Sequence, residues 1–278
     1  MRLPGAAPAT KLALATAEVV RARLQGALRR PRPPVPDAAR PEDIPSVAIA
    51  GAHDRVLAEI DQDGFAFAVH PADEPYFNRR ADRLRKRRYE LHVVLHRGAV
   101  CVRKSFRRQD ELASVATRAW GALGLLFFTE AAALLRLDDA GCAPRLRDVH
   151  VPSQTLYMDY IHGETLQRRF AAHTPGLTDL DGASDAIDDP DRERREHAAF
   201  AAHADEALRD AIAGLMRAMT DRGVAPMDIK LGNAIVGART GAVYWIDFEL
   251  AALRGAAGYA RHLAEHRRRV ATWFGVPA

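Results

Sequence analysis

The sequence predicts an α+β protein in which a small antiparallel sheet precedes a mainly helical remainder. Three observations carry this. Residues 89–96 (YELHVVLH) and 99–106 (AVCVRKSF) alternate apolar and polar positions about Arg97-Gly98, the pattern of a β-hairpin with a tight turn. Residues 110–137 and 197–222 carry apolar side chains at helical spacing. Finally, the polar run MDIKLGN at 227–233 leads into a short strand–turn–strand (234–236, 237–241 and 242–246) that ends in YWIDFE at 244–249.

The elements follow in order. Residues 10–30 fit an amphipathic helix with Leu12, Val19, Val20, Leu24 and Leu28 on one side. Six prolines between 31 and 45 exclude regular helix or strand, so 1–45 reads as a flexible tail with a Pro-rich linker and the folded body as starting near Ser46. Residues 55–62 read as helix behind an Asp54 N-cap, and 65–69 as a strand. After the hairpin, 110–137 reads as a long helix broken near Gly121 or Gly124 and ended by Gly141 to Pro144. Strands are expected at 146–151 and 154–160, and a helix from Gly163. The acidic stretch 174–195 reads as a surface insertion, and the chain beyond Leu250 as two short helices that Trp273 and Phe274 tie to the body.

Composition narrows the function classes. With 278 residues, 48% of them hydrophobic, the chain can bury a large core in one domain or two halves. Cys101 and Cys142 form neither a disulfide framework nor a metal spacing, which fits a reduced cytoplasmic setting. The longest uncharged apolar run, 119–129, is too short to span a bilayer, so no transmembrane segment is expected. Glu18 interrupts the apolar stretch 12–20, which does not read as a signal peptide. His150, His162, His197 and His203 lack metal-ligand spacing. The net charge is +4, but the run from Arg79 to Arg88 holds seven basic residues, with further basic groups at Arg103, Lys104, Arg107, Arg108 and 267–269. These runs are either solvated faces or a surface for a polyanion such as nucleic acid or an anionic lipid.

Two ionisable residues stand in apolar settings. Lys104 lies in the second hairpin strand and Glu130 in the middle of an apolar helix (FFTEAAALL). Burying either alone is costly, and pairing them removes both costs. Arg103 takes the place of Lys104 if the strand register shifts by one.

The motif at 227–233 with Asp247 resembles the active-site spacing of the protein-kinase-like superfamily from about residue 60 onward. LYMDYIHGETL at 156–166 is similar to the hinge of that family. The resemblance implies a bilobal fold: an N-lobe (46–160) with a small antiparallel sheet and one main helix, and a short helical C-lobe (161–278), with ATP in the cleft. It implies roles as well. Asp228 orients an acceptor hydroxyl and takes its proton, and Lys230 screens the transferred phosphoryl group. Asn233 and Asp247 hold Mg²⁺. Lys104, held by Glu130, grips the nucleotide phosphates. Asp159 and Ile161 meet the adenine edge, with Met158 behind it.

Four departures modify that expectation. No G-x-G-x-x-G precedes Lys104; Pro226 stands where the motif has His; Glu249 replaces the Gly of Asp-Phe-Gly; and 29 residues follow Glu249. They point toward small atypical members, similar to bacterial lipopolysaccharide (Kdo/heptose) kinases and RIO-type kinases, while Lys230 resembles a Ser/Thr protein kinase loop. The expectation is an ATP- and Mg²⁺-dependent kinase whose hydroxyl acceptor is an anionic sugar, a glycolipid or a protein Ser/Thr. It is expected to be cytoplasmic, and peripheral contact with the inner membrane suits a glycolipid acceptor. The alternative is a pseudokinase that senses nucleotide or binds a partner.

Overall fold

The computed structural model describes residues 8–26, 28, 33–43, 56–60, 66–68, 90–106, 120–171, 173 and 190–276. The basic run 79–88 and most of the acidic stretch 174–195 lie outside these residues.

Six strands form one sheet: β1 (Val56–Ile60), β2 (Ala66–Ala68), β3 (Glu90–His96), β4 (Ala99–Ser105), β5 (Leu146–His150) and β6 (Thr155–Asp159), ordered β2-β1-β3-β4-β6-β5 with every pairing antiparallel. The hairpin β3–β4 turns at Arg97-Gly98, where both residues take the left-handed backbone that suits such turns (φ 50° and 79°). In β4 the register pairs Lys104 with Leu91 on one side and Leu156 on the other. That placement buries Lys104, whereas Arg103 is only half-buried, so Lys104 is the inward residue.

Among the described residues there are six α helices: α1 (Pro8–Leu24), α2 (Trp120–Arg136), α3 (Leu166–Ala171), α4 (Pro190–His203), α5 (Glu206–Asp221) and α6 (Tyr259–Phe274). Two smaller sheets are present among the described residues. One joins β7 (Gly163–Thr165), β9 (Ala234–Gly237) and β10 (Val243–Trp245) in the order β10-β9-β7; the other joins β8 (Val224–Ala225) to β11 (Ala252–Leu253). The architecture is therefore α+β with antiparallel sheets. One apolar core runs from Ala15 and Val19 of α1 through Phe127, Ala131 and Leu134 of α2 to Met216 of α5, Trp245 of β10 and Phe274 of α6. Phe274 meets Phe200 and Trp245 edge-on, and Trp273 lies on His197.

Several expectations change. Residues 56–60 form strand β1, not a helix; VLAEI is too short a run for its period to separate the two states, and pairing with β3 decides it. α2 runs unbroken through Gly121 and Gly124, and its part N-terminal to 120 lies outside the described residues. Gly163 opens a strand, with helix beginning only at Leu166. The helical stretch 197–222 is two helices, because the Asp205 carboxylate accepts from the Leu208 N–H and caps a new one, while α4 reaches back to Pro190. Beyond Leu250 there is a short strand and one 16-residue helix.

The largest change concerns residues 8–26 and 33–43, expected as part of a flexible tail and found packed against the rest of the protein. α1 lies on α2, where Glu18 forms an ion pair with Arg136. Arg136 in turn donates to the carbonyls of Gly223 and Arg254 at 3.0 Å each. Residues 33–43 then run along the segment after β6. Ala39 N–H donates to Tyr160 O (2.6 Å) and His162 N–H to Asp37 O (2.7 Å), which forms a β-bridge between Ala38 and Ile161. The Asp37 carboxylate is buried and accepts from the backbone N–H of Arg239 (2.7 Å) and Thr240 (3.1 Å), the Thr240 hydroxyl and the Tyr244 hydroxyl (3.0 Å). It approaches Gly237 so closely that no Cβ fits there, which requires glycine at that position. The N–H groups of Val35, Ala38, Ala39, Arg40 and Asp43 are all used, and the prolines at 33, 34, 36 and 41 fall where no backbone donor is needed.

Burial alone would raise the Asp37 pKa, but the hydrogen bonds from Thr240, Arg239 and Tyr244 hold it below the ordinary carboxylate value. A depressed folded-state pKa contributes stability above the unfolded value and loses it as pH falls through the folded one. We therefore predict that Asp37→Ala lowers unfolding free energy by about 3 kcal/mol at neutral pH. Urea titrations should show the gap to wild type narrowing below pH 4, the region under the ordinary carboxylate value of 3.8.

Candidate functional site

Three carboxylates from two chain segments converge on Lys104. Its Nζ lies 2.7 Å from Glu130 Oε2 on α2, 2.8 Å from Asp247 Oδ1 just beyond β10, and 3.7 Å from Glu249 Oε2. Lys104 is 3% exposed and Glu130 1%. The pairing expected between them is present, and Asp247 joins it. Asp247 holds a left-handed backbone (φ 65°), uncommon for a residue with a Cβ, and that turn aims its carboxylate at the ammonium.

The three carboxylates bring ligand oxygens within 4.8 Å of one another around a single ammonium. Burial pushes the Glu130 carboxyl up to about 7 against the pull of Lys104, and Asp247 and Glu249 add to the rise. The hard oxygen donors of the cluster suit a divalent cation of the Mg²⁺ type. The closeness of Glu249 to Lys104 was not foreseen; a glutamate at the Gly position of Asp-Phe-Gly was the signal available.

Asp228 and Lys230 lie in an irregular loop between β8 and a 3-10 turn at Leu231–Asn233. Lys230 Nζ is 2.7 Å from Asp228 Oδ2. Burial alone would lower the Lys230 pKa, but Asp228, Asp247 and Glu249 outweigh it and hold the ammonium above its ordinary value. Asn233 is buried, and its Nδ2 donates to Asp228 O (3.0 Å) and Asp228 Oδ2 (3.2 Å), so Oδ1 is the atom that could ligate a cation. The Ile246 N–H donates to Asn233 O at 2.8 Å, and the register of the hairpin opposes Trp245 to Ala234. Asn233 and Asp247 are therefore brought beside each other by the strand–turn–strand between them. Asp228 and Lys230 are the more exposed members, with side-chain exposures of 33% and 44%.

The segment expected to meet a flat ring is more constrained than the sequence implies. Met158 is buried in the core between Val102 and Leu146. The Asp159 side chain is buried, ion-paired with Arg147, and accepts from the Val35 N–H (3.2 Å); its own N–H donates to Arg145 O (2.9 Å). Burial raises the Asp159 pKa against the pull of Arg147. The side chain of Ile161 packs with Val35, Ala38, Ile235 and Tyr244. The bonds flanking its bridge to Ala38 belong to Tyr160 and His162, so the peptide groups of Ile161 itself face away from residues 33–43.

The loop has two further partners that sequence reasoning missed. His266 Nδ1–H donates to Pro226 O (2.7 Å) and Arg269 to Met227 O (2.8 Å), both from α6. The four-residue spacing of His262, His266, Val270 and Phe274, all buried, was the available signal. No helix among the described residues is long and apolar enough to cross a membrane. No protein-family model matches the sequence, and no curated protein matches it significantly.

Removing the central cation should be more damaging than removing the whole group. We predict that Lys104→Met, which leaves three carboxylates facing one another, costs about 3–5 kcal/mol in denaturant unfolding. Adding Glu130→Gln to it should recover part of that loss, a non-additivity that a double-mutant cycle reads directly.

Proposed function

We propose that this protein is an ATP- and Mg²⁺-dependent phosphotransferase acting on a hydroxyl group, built on a bilobal protein-kinase-like fold. The observation that carries the reading is the buried ammonium of Lys104 between Glu130 and Asp247, 2.7 and 2.8 Å away. A strand lysine anchored by a helix glutamate and placed beside a metal-binding aspartate is the arrangement that this chemistry needs for its phosphate end. The sheet order supports the reading: the lysine strand β4 lies between the hairpin partner β3 and the hinge strand β6.

In this reading Lys104 turns from Asp247 toward the α- and β-phosphate oxygens of ATP while Glu130 retains it. Asp247 and Asn233 would hold Mg²⁺, which would supply neutralisation of charge on the phosphate oxygens. Asp228 accepts a hydrogen bond from the acceptor hydroxyl and takes its proton, and Lys230, within 2.7 Å of it, screens the transferred group. Exposure of these two side chains gives the acceptor its approach. The adenine edge meets the peptide groups at Asp159 and Ile161, with Met158 behind. Positioning and charge supply most of the rate.

The acceptor we favour is an anionic sugar or glycolipid, with the basic run from Arg79 to Arg88 as its electrostatic match and peripheral contact with the inner membrane as the setting. Protein Ser/Thr is the competing acceptor, because Lys230 suits both. Labelled ATP with Mg²⁺ and an extract divided into lipid, protein and RNA fractions tests this. Label is expected in the lipid fraction, and Asp247→Ala should reduce transfer by about 10³-fold or more. Label in protein alone sinks the glycolipid preference. Nucleotide binding without turnover under any metal or acceptor favours a nucleotide-sensing pseudokinase.

A further inference from the structure

Residues 226–230, the loop that presents Asp228, have no strand or helix ladder of their own. Three successive carbonyls of this loop accept side-chain donors. Pro226 O takes His266 Nδ1–H (2.7 Å), Met227 O takes Arg269 (2.8 Å), and Asp228 O takes Asn233 Nδ2 (3.0 Å). Pro226 has no N–H to offer in return. The first two donors come from consecutive turns of α6, some forty residues downstream.

The chemistry of both donors is specific to this task. His266 is fully buried on the face of α6 that also carries Val270 and Phe274. An aliphatic side chain would fill that face without the cost of desolvating an imidazole, so the ring is accounted for by the carbonyl it meets. A carbonyl can only accept, which fixes the proton on Nδ1. Arg269 is held on its own helix by Glu265, whose Oε1 accepts from Arg269 Nε at 2.8 Å. With that side fixed, the guanidinium presents NH1 to the loop.

Each carbonyl lies in the same rigid plane as the next residue's N–H. Fixing Pro226 O and Met227 O therefore sets two consecutive peptide planes, hence the φ and ψ of Met227 and the direction in which the chain enters Asp228. We infer that α6 is the brace of the Asp228 loop, and that His266 and Arg269 are positioning residues for the phosphoryl transfer. The brace stands where the usual loop histidine is replaced by Pro226. The catalytic part of this inference rests on the proposed function; the structural part does not.

The test uses the full chain and four variants. His266→Phe and Arg269→Met remove the donors and keep bulk. His266→Asn places an amide N–H where Nδ1 stands, and Arg269→Lys keeps the charge without the fork. Hydrogen exchange read by mass spectrometry should show the amides of 227–233 exchanging about tenfold faster in the first two variants, with α5 and the β3–β4 hairpin unchanged. In the transfer assay kcat should fall about 10- to 100-fold, with KM for ATP within about twofold of wild type. His266→Asn should restore most of both readouts, and Arg269→Lys should fall between Arg269→Met and wild type. Unchanged exchange over 227–233, an increase spread evenly over the molecule, or failure of His266→Asn to rescue would overturn the brace. If wild type transfers no phosphoryl group, the proposed function falls alone and the exchange pattern still decides the brace.

Discussion

A single buried ammonium organises this molecule. Lys104 sits on a central strand, Glu130 on a helix packed against the sheet, and Asp247 beyond a hairpin some hundred and forty residues further on. An unpaired charge in such a place costs several kcal/mol, so any arrangement that separated these segments would be strongly disfavoured. The constraint reaches outward. Glu130 can meet Lys104 only if α2 keeps its position, and α2 is held by α1 and by Arg136, whose guanidinium engages Glu18, Gly223 and Arg254 together. Asp247 meets it from a left-handed backbone.

The Asp228 loop is governed by the opposite kind of physics. It has few backbone hydrogen bonds of its own, and its shape is imposed by groups delivered from elsewhere. The two halves of the site are joined through Asn233, which grips Asp228 with its amide and receives the Ile246 N–H on its carbonyl. A rigid charge cluster thus stands beside a loop set by side chains, an arrangement in which positioning and charge stabilisation are separately adjustable.

Much of this was legible in the chain. The β3–β4 alternation, the inward Lys104, the apolar helix around Glu130 and the short hairpin from Asn233 to Asp247 all follow from local pattern. The nearness of Lys104 to Glu130 followed from the cost of burying either alone. What was not legible depends on distant partners. Val56–Ile60 became a strand because β3 offered it an edge. The Pro-rich segment looked like a linker because composition reports local conformation, and extended chain is equally suited to lying along another strand. Asp37 carries no local signal at all, and His266 carries only its place in a four-residue spacing.

The latch at Asp37 has a consequence for how the protein is made. The donors that surround its carboxylate lie more than two hundred residues downstream. On the ribosome Asp37 emerges some two hundred residues before any of them exist, so its carboxylate must wait, unsatisfied, until they have appeared. Closing so long a loop is slow, and the carboxylate has no reason to be buried before it closes.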